Sequence, residues 1–341
     1  MNVCSNCFTE NELKAFINTS TTFGNCDVCE SQTVALIDLD ELMDFFSELI
    51  SNFELNESGT PLINKLQVDW NFFSTNDIGN SIINHALEEM ESEILSSNIK
   101  VGFSSQILEN VNYWEKLKEE LKWSKRFVTN IDFLTKELAW DRYFGSEFLL
   151  NPDVSLYRAR LHKDADQNAY NIDKMHSPPK DKVTNGRANP SGIPFLYLSK
   201  DQETPLYEVR ATLLDELSLG EFKLKEAEDP IKIVDFTTPT PLFYTDEGSV
   251  SEQIKSHLLK QKISSDLSKP MRKYDSDVEY IPTQFICEFI KVFTGAEGIQ
   301  FRSSVRPEGK NLVIFNQNKI DCIKVQVKQI ARLKLTSKNR D

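Results

Sequence analysis

Two short motifs near the start of the chain, Cys4-Ser-Asn-Cys7 and Cys26-Asp-Val-Cys29, restrict its fold more than any other feature. Eighteen residues separate them. At that spacing two C-x-x-C knuckles fold back on each other and present four thiolates to one tetrahedral site. A Zn ion held by Cys4, Cys7, Cys26 and Cys29 would have no position left for water, so it is expected to be structural rather than catalytic. It would supply folding energy that residues 1–35 are too few to gain from a core of their own. Disulfides or free thiols are the alternative, and a reducing compartment disfavours the former. The other two cysteines, Cys287 and Cys322, lie among apolar neighbours and read as small buried hydrophobes.

The chain has 341 residues, 40% of them apolar and 27% charged, which fits two or three packed domains. Its net charge of −13 is unevenly spread: residues 1–150 carry 25 acidic and 10 basic side chains, residues 151–341 carry 27 and 29. An acidic front argues against a nucleic-acid surface. The near-neutral back has enough Arg and Lys to hold a small anion. No apolar run is long enough to cross a bilayer, and the first ten residues lack a signal peptide's order, so the cytoplasm is the expected location.

Residues 36–150 read as a helical domain. Asp38 caps a helix whose apolar face is Leu39, Leu42, Met43, Phe46, Leu49, Ile50 and Phe53, and which breaks over Asn56 to Pro61. Further helical patterns run from Gly79 to Ser97 and from Tyr113 to Trp123, and Asp132 to Leu149 is rich in Phe, Trp and Leu. A helical bundle is the simplest account. Asn151-Pro152 marks a boundary, giving a third domain over 151–341.

In that domain Ser155–Arg160 reads as a first strand, and His162 and His176 as loop residues, solvated surface histidines with contact to substrate as the alternative. Lys174–Asn185 is expected to be a mobile loop. Ile231–Phe236 reads as a strand, Ser251 to Tyr274 as helix turning polar, and Phe285–Phe293 as helix. Leu312–Phe315 and Ile323–Leu335 read as closing strands. The centre of interest is Gly186 to Arg210. A turn over Gly186–Gly192 leads into the apolar run Pro194–Ser199, then a helix that Pro205 opens, with Leu206, Val209 and Leu213 at helical spacing. This unit contains Arg187, Tyr197 and Glu208 and can aim the last two side chains into one cleft. A guanidinium that forks onto a diphosphate, an aromatic face for a cationic ring and a carboxylate for ribose hydroxyls would make an NAD site. An ordinary strand edge with a surface Arg fits the same residues.

Several separated blocks together resemble the RES family of NAD-degrading toxin domains. They are Tyr157-Arg158, Gly186-Arg187-x-Asn189-Pro190-x-Gly192, Leu196-Tyr197, Glu203-Thr204 with Glu208, and Gly298 to Ser303 with Asn311. The resemblance covers 151–341 and implies an α+β fold, an ADP-ribosyltransferase-like β-sheet core with helices, preceded by the knuckle and the helical domain. It implies cleavage of the nicotinamide–ribose bond. Arg158 and Arg187 would hold the diphosphate, Tyr197 pack near the nicotinamide, Glu208 stabilise the cationic sugar, and Ser303 position the ribose or amide, with Ser304 the alternative should the strand register shift by one. Asn189 and Asn311 join them as binding residues, Asn311 holding the serine loop. The acceptor is open: water (glycohydrolase), inorganic phosphate (phosphorylase) or a macromolecule (ADP-ribosyltransferase). A non-catalytic nucleotide-binding module is the reading from another class. The front is similar to the HEPN-like extension found before some RES domains. It lacks the Arg–His pair of catalytic HEPN proteins, because His85 has no Arg nearby. Roles in toxin–antitoxin pairs or phage defence, an antitoxin or regulatory partner, and homo-oligomers come with the resemblance as expectations.

Overall fold

The structure, a computed structural model, describes residues 1–332 except 91, 146–147, 244–248 and 271–275. Tyr274 and residues 333–335, expected in a helix and a strand, lie outside the described residues. The chain forms two compact units, residues 1–114 with 239–259, and residues 115–238 with 260–341.

In the first unit, strands β1 (Asn2–Cys4), β2 (Phe23–Gly24) and β3 (Val34–Asp38) form an antiparallel sheet with β3 in the middle. Helix α1 (Asn11–Asn18) lies between β1 and β2 in sequence. Asp38 acts as the expected cap: it accepts from Asp40 N at 3.2 Å while Glu41 accepts from Asp38 N at 3.4 Å. The capped helix is shorter than the periodicity predicts. A 3-10 turn over Leu39–Leu42 leads into α2 (Met43–Ser51), and Phe53 already belongs to strand β4 (Phe53–Pro61). Asn52 ends it, turning its amide back onto Glu48 O at 2.7 Å. After α3 (Leu62–Trp70) and α4 (Asn76–Glu88), β4 pairs with β5 (Lys100–Phe103), and α5 (Ser105–Trp123) comes next. Residues 36–150 are therefore not a pure helical bundle: they hold helices, the β4-β5 ribbon, the end of β3 and the strand Phe148–Leu150. Residues 239–259 complete this unit's core. Leu242, Phe243, Val250 and Ile254 are buried with Phe46, Leu66 and Phe72, and Phe243 meets the rings of Phe16 and Phe45 at 5.4 and 5.3 Å. Each fully buried side chain of this kind contributes about 1.5–3 kcal/mol.

The second unit is built on one mixed sheet of eight strands. They are β6 (Phe148–Leu150), β7 (Leu156–Leu161), β8 (Leu196–Ser199), β9 (Glu216–Leu224), β10 (Ile231–Asp235), β11 (Gly298–Arg302), β12 (Lys310–Ile314) and β13 (Ile320–Gln329). Their order is β13-β9-β7-β8-β12-β11-β10-β6, with β10 and β11 parallel and every other pair antiparallel. The helices are α6 (Trp140–Tyr143), α7 (Thr204–Glu208), the part of α8 (Val250–Ser268) from residue 260 on, α9 (Ser276–Glu279) and α10 (Ile281–Phe293). This is the α+β architecture expected. Leu156, Leu196, Leu198, Phe222, Ile233, Leu312 and Ile314 bury together as the sheet's main core. A smaller cluster of Ala159, Leu217 and Leu219 packs against Leu206 and Val209 of the α7 segment.

Helix α7 stops at Glu208, short of Leu213. Arg210 adopts φ +53°, a left-handed conformation that an α-helix cannot continue through. The strand-to-helix turn before it is pinned by Arg306. Its Nη1 binds Asp201 and, at 2.9 Å, Thr204, and its Nη2 binds Glu203 at 2.8 Å. Asp201 Oδ1 caps the helix entry by accepting from Thr204 N at 2.8 Å.

Candidate active site

Because β7, β8 and β12 are neighbours, residues from three distant parts of the chain meet at one sheet position. Ser199 is in register with both Tyr157 of β7 and Asn311 of β12. Above them α7 carries Glu208. A cavity of about 250 Å³ forms there, lined by Tyr157, Arg158, Tyr197, Ser199, Glu208 and Asn311 among others.

Glu208 is oriented by two donors on the same oxygen. Ser303 Oγ donates to Glu208 Oε1 at 2.7 Å and Asn311 Nδ2 donates to it at 2.6 Å. No hydrogen bond to Oε2 forms among the described residues, which leaves that oxygen available at the cavity. Ser303 is itself held, accepting at Oγ from the backbone N–H groups of Val305 and Arg306, both at 3.2 Å. Asn311 does not take the expected part of holding the serine loop; its amide instead joins Glu208 to Ser199, whose Oγ donates to Asn311 Oδ1 at 3.2 Å.

Arg158 is the group least satisfied by the protein. Its Nη1 is closed off from solvent and has no hydrogen-bond partner among the described residues. Burial, with help from the like charge of Arg160, pushes its guanidinium down to about 10, still cationic at neutral pH. A buried cation without a counter-charge is costly.

Tyr197 is held by its hydroxyl, which donates to Asn189 Oδ1 at 2.8 Å and accepts from Ala188 N at 3.0 Å. Burial pushes its phenol upward, so it stays neutral. Gly186 is needed beneath it: a Cβ there would lie 2.6 Å from the Tyr197 hydroxyl and 2.5 Å from Asn189 Oδ1. Asn189 uses its Nδ2 inside the loop, donating to Ile193 O at 3.0 Å and Pro190 O at 3.1 Å. The start of α10 fixes this loop as well, since Gln284 Nε2 donates to Gly186 O at 2.9 Å and Thr283 Oγ1 to Arg187 O at 2.6 Å.

The structure thus brings Arg158, Tyr197, Glu208 and Asn311 to one cavity, with Ser303 one hydrogen bond behind. Arg187 does not line it. Its guanidinium donates to Leu267 O at 3.0 Å and Ser304 Oγ at 3.2 Å and lies 5.6 Å from the Tyr280 ring centre. Ser303 and Ser304 therefore serve different partners. Neither His162 nor His176 lines the cavity. His162, expected on the surface, has a buried side chain, its Nε2 2.8 Å from Ser218 Oγ, and His176 packs on Phe222. Sequence reasoning misses Tyr157 as a lining residue in its own right and Ser199 altogether; the end of a strand entering a turn and helix is the available signal. A larger cleft of about 560 Å³ in the first unit, beside Met43, Glu54 and Glu93, contains none of the predicted residues.

A family model described as the RES domain matches residues 155–336. The chain belongs to the RES domain family. No curated protein matches it. Among solved structures, a chain in the crystal structure of the M. tuberculosis MbcT–MbcA toxin–antitoxin complex is similar, with 14% identity over 56% of this chain and 90% of that chain and a TM-score of 0.31. The RES match spans β7 to β13 and includes every lining residue named above.

Outside the RES domain, the four N-terminal cysteines also converge. Cys4 ends β1, Cys7 lies in the turn after it, and Cys26 and Cys29 come after β2, so the β1-β3-β2 sheet folds one pair onto the other. All four sulfurs lie within 4.8 Å of one another, with Cys4–Cys29 at 3.4 Å and Cys7–Cys26 at 3.5 Å. Burial pushes the Cys4 thiol up to about 11. A tetrahedral S₄ site with bonds of about 2.3 Å needs sulfurs roughly 3.8 Å apart, so this cluster fits a metal ion. Among the described residues no helix is long and apolar enough to cross a membrane.

Proposed function

We propose that the cavity binds NAD and breaks the bond between nicotinamide and ribose. The observation that carries this is one cavity lined by both Arg158 and Glu208, a carboxylate whose Oε1 is held by Ser303 and Asn311. RES members, as a family, degrade NAD, and the residues here can meet the demands of that reaction. About 250 Å³ suits the nicotinamide riboside half, leaving the rest of the dinucleotide toward solvent.

Breaking the C1′–N bond sends its electron pair to the nicotinamide ring, which leaves neutral, and the ribose becomes oxocarbenium-like. Glu208, anchored through Oε1, offers Oε2 to the ribose hydroxyls and stabilises the positive sugar. Arg158 holds the phosphate side and so fixes the ribose against that carboxylate. Tyr197 and Tyr157 give the pyridinium ring an aromatic wall. Ser303 keeps Glu208 in place. Arg187 supports the site by tying the Gly186–Gly192 loop to Ser304. The cation is then captured by water, which gives up a proton to solvent, or by an oxygen of inorganic phosphate, giving a glycohydrolase or a phosphorylase.

In the first unit, the four-cysteine cluster is read as a structural Zn site. Thiolate ligands and tetrahedral spacing favour zinc, and four protein ligands leave no open position for chemistry.

The test is incubation of the full chain with NAD, with nicotinamide release followed by chromatography at several phosphate concentrations. Release is expected, and the mass of the other product identifies the acceptor. Tight binding of NAD without release would make the protein a nucleotide-binding module instead.

A further inference from the structure

We propose that Ser199 is a positioning residue of this site, acting on Glu208 through the side-chain amide of Asn311; the proposal rests on the NAD-cleaving reading above. Strand pairing sets Ser199 beside Asn311 in the cavity wall, where the two are 2% and 8% exposed. A carboxylate can only accept, so Asn311 must turn Nδ2 toward Glu208, as it does at 2.6 Å. That commits Oδ1 to the opposite side, where Ser199 Oγ donates at 3.2 Å. Glu208 thus sets the orientation of the amide, and the Ser199 hydroxyl anchors the amide in that place from the other side. In the flipped orientation Oδ1 would face Glu208, lone pair against lone pair, and the carboxylate would turn away.

Because Asn311 and Ser303 both bind Oε1, Ser199 steadies Glu208 indirectly by holding one of its two donors in place. Removing the hydroxyl loosens that donor. Arg158 and the aromatic wall are untouched, so ground-state binding persists while the stabilisation of the cationic sugar is lost. Ser199 itself touches no reacting atom in this scheme.

The experiment compares Ser199→Ala, Ser199→Thr, Asn311→Ala and the Ser199→Ala/Asn311→Ala pair in the full chain. Ser199→Ala is expected to lower kcat for nicotinamide release about tenfold, the effect of one net hydrogen bond, with KM unchanged. Ser199→Thr keeps the hydroxyl and restores kcat. The pair is no slower than Asn311→Ala alone, because Ser199 has no other route to Glu208. Additive losses, or a loss confined to KM, would overturn the proposal. A second readout needs no NAD: the Asn311 side-chain amide, followed by ¹⁵N NMR, exchanges slowly with water in wild type and faster in Ser199→Ala. An unchanged exchange rate would overturn the role of Ser199 even if the wild type proved inactive, whereas inactivity alone would overturn only the NAD reading.

Discussion

Ser303 Oγ and Glu208 Oε1 lie 2.7 Å apart although 95 positions separate them in the chain. The bond joins the loop after β11 to the last residue of α7. It converts an exposed glutamate at the end of a five-residue helix into a directed one. Glu208→Gln should retain the fold, because Gln Oε1 can still accept from Ser303 and Asn311, yet lower kcat by at least about 100-fold through loss of the charge facing the cation. Circular dichroism with a nicotinamide assay checks both halves, and wild-type turnover in Glu208→Gln would remove the assignment.

Arg158 poses a trade between stability and function. Its Nη1 is buried and unpartnered, so replacing it by a similarly long apolar side chain removes a desolvation cost. Arg158→Met is expected to raise the unfolding free energy by about 1–2 kcal/mol while abolishing NAD binding. Denaturant titration and calorimetric binding measure the two effects. A less stable Arg158→Met protein would mean that the guanidinium is satisfied in solution.

Gly186 tests the aromatic wall. The Cβ of Gly186→Ala would meet the Tyr197 hydroxyl at 2.6 Å, closer than such atoms pack, so the ring or the loop must shift. Activity should fall at least about tenfold with a stability loss of about 1–3 kcal/mol. Thermal unfolding beside turnover distinguishes this from global unfolding.

Removal of Cys4 should be felt in the first unit. Cys4→Ser, or chelation, is expected to release the bound metal and lower the unfolding temperature of residues 1–114. Metal analysis by mass spectrometry together with hydrogen exchange reads the outcome; full metal content in Cys4→Ser would exclude a four-thiolate site.

Glu10 gives a pH dependence with a definite sign. Burial raises its carboxyl from 4.5 to about 7, against the pull of the Leu242 and Phe243 backbone N–H donors. Folding therefore takes up a proton between pH 4.5 and about 7, and the first unit loses stability as pH rises through that window. Glu10→Gln should flatten this slope and stabilise the unit by on the order of 1 kcal/mol at pH 8. Urea unfolding from pH 4.5 to 8 would show it, and a slope retained in Glu10→Gln would assign it elsewhere.

Much of the local structure is readable in the chain. Pro194–Ser199 and Leu312–Phe315 become β8 and β12, and the thiol spacing anticipates the converged cysteines. Strand β9 is not among the strands that the pattern predicts. Its apolar positions 217, 219, 222 and 224 change phase at Gly220-Glu221, and its partner β13 shifts register between Cys322 and Lys324, so a strict two-residue period fails there. Similarly, Phe53 continues the helical stripe of α2 and only its pairing with Phe103 makes it a strand residue. The partners of Glu208 are beyond reach for a related reason. Its bond to Asn311 exists because β8 lies between β7 and β12, and adjacency in a sheet is decided by long-range pairing rather than by neighbouring residues.

Leu242, Phe243, Val250 and Ile254 belong to the core of the first unit although they come after the first 87 residues of the RES match in sequence. Cutting the gene after codon 150 to obtain a minimal enzyme would strip these four side chains of their packing and send a sticky, half-finished surface into solution. An expression trial that fails on such a truncation would thus reflect where the scissors fell, and a fragment intended to behave well must keep the amino-terminal half or recode that stretch.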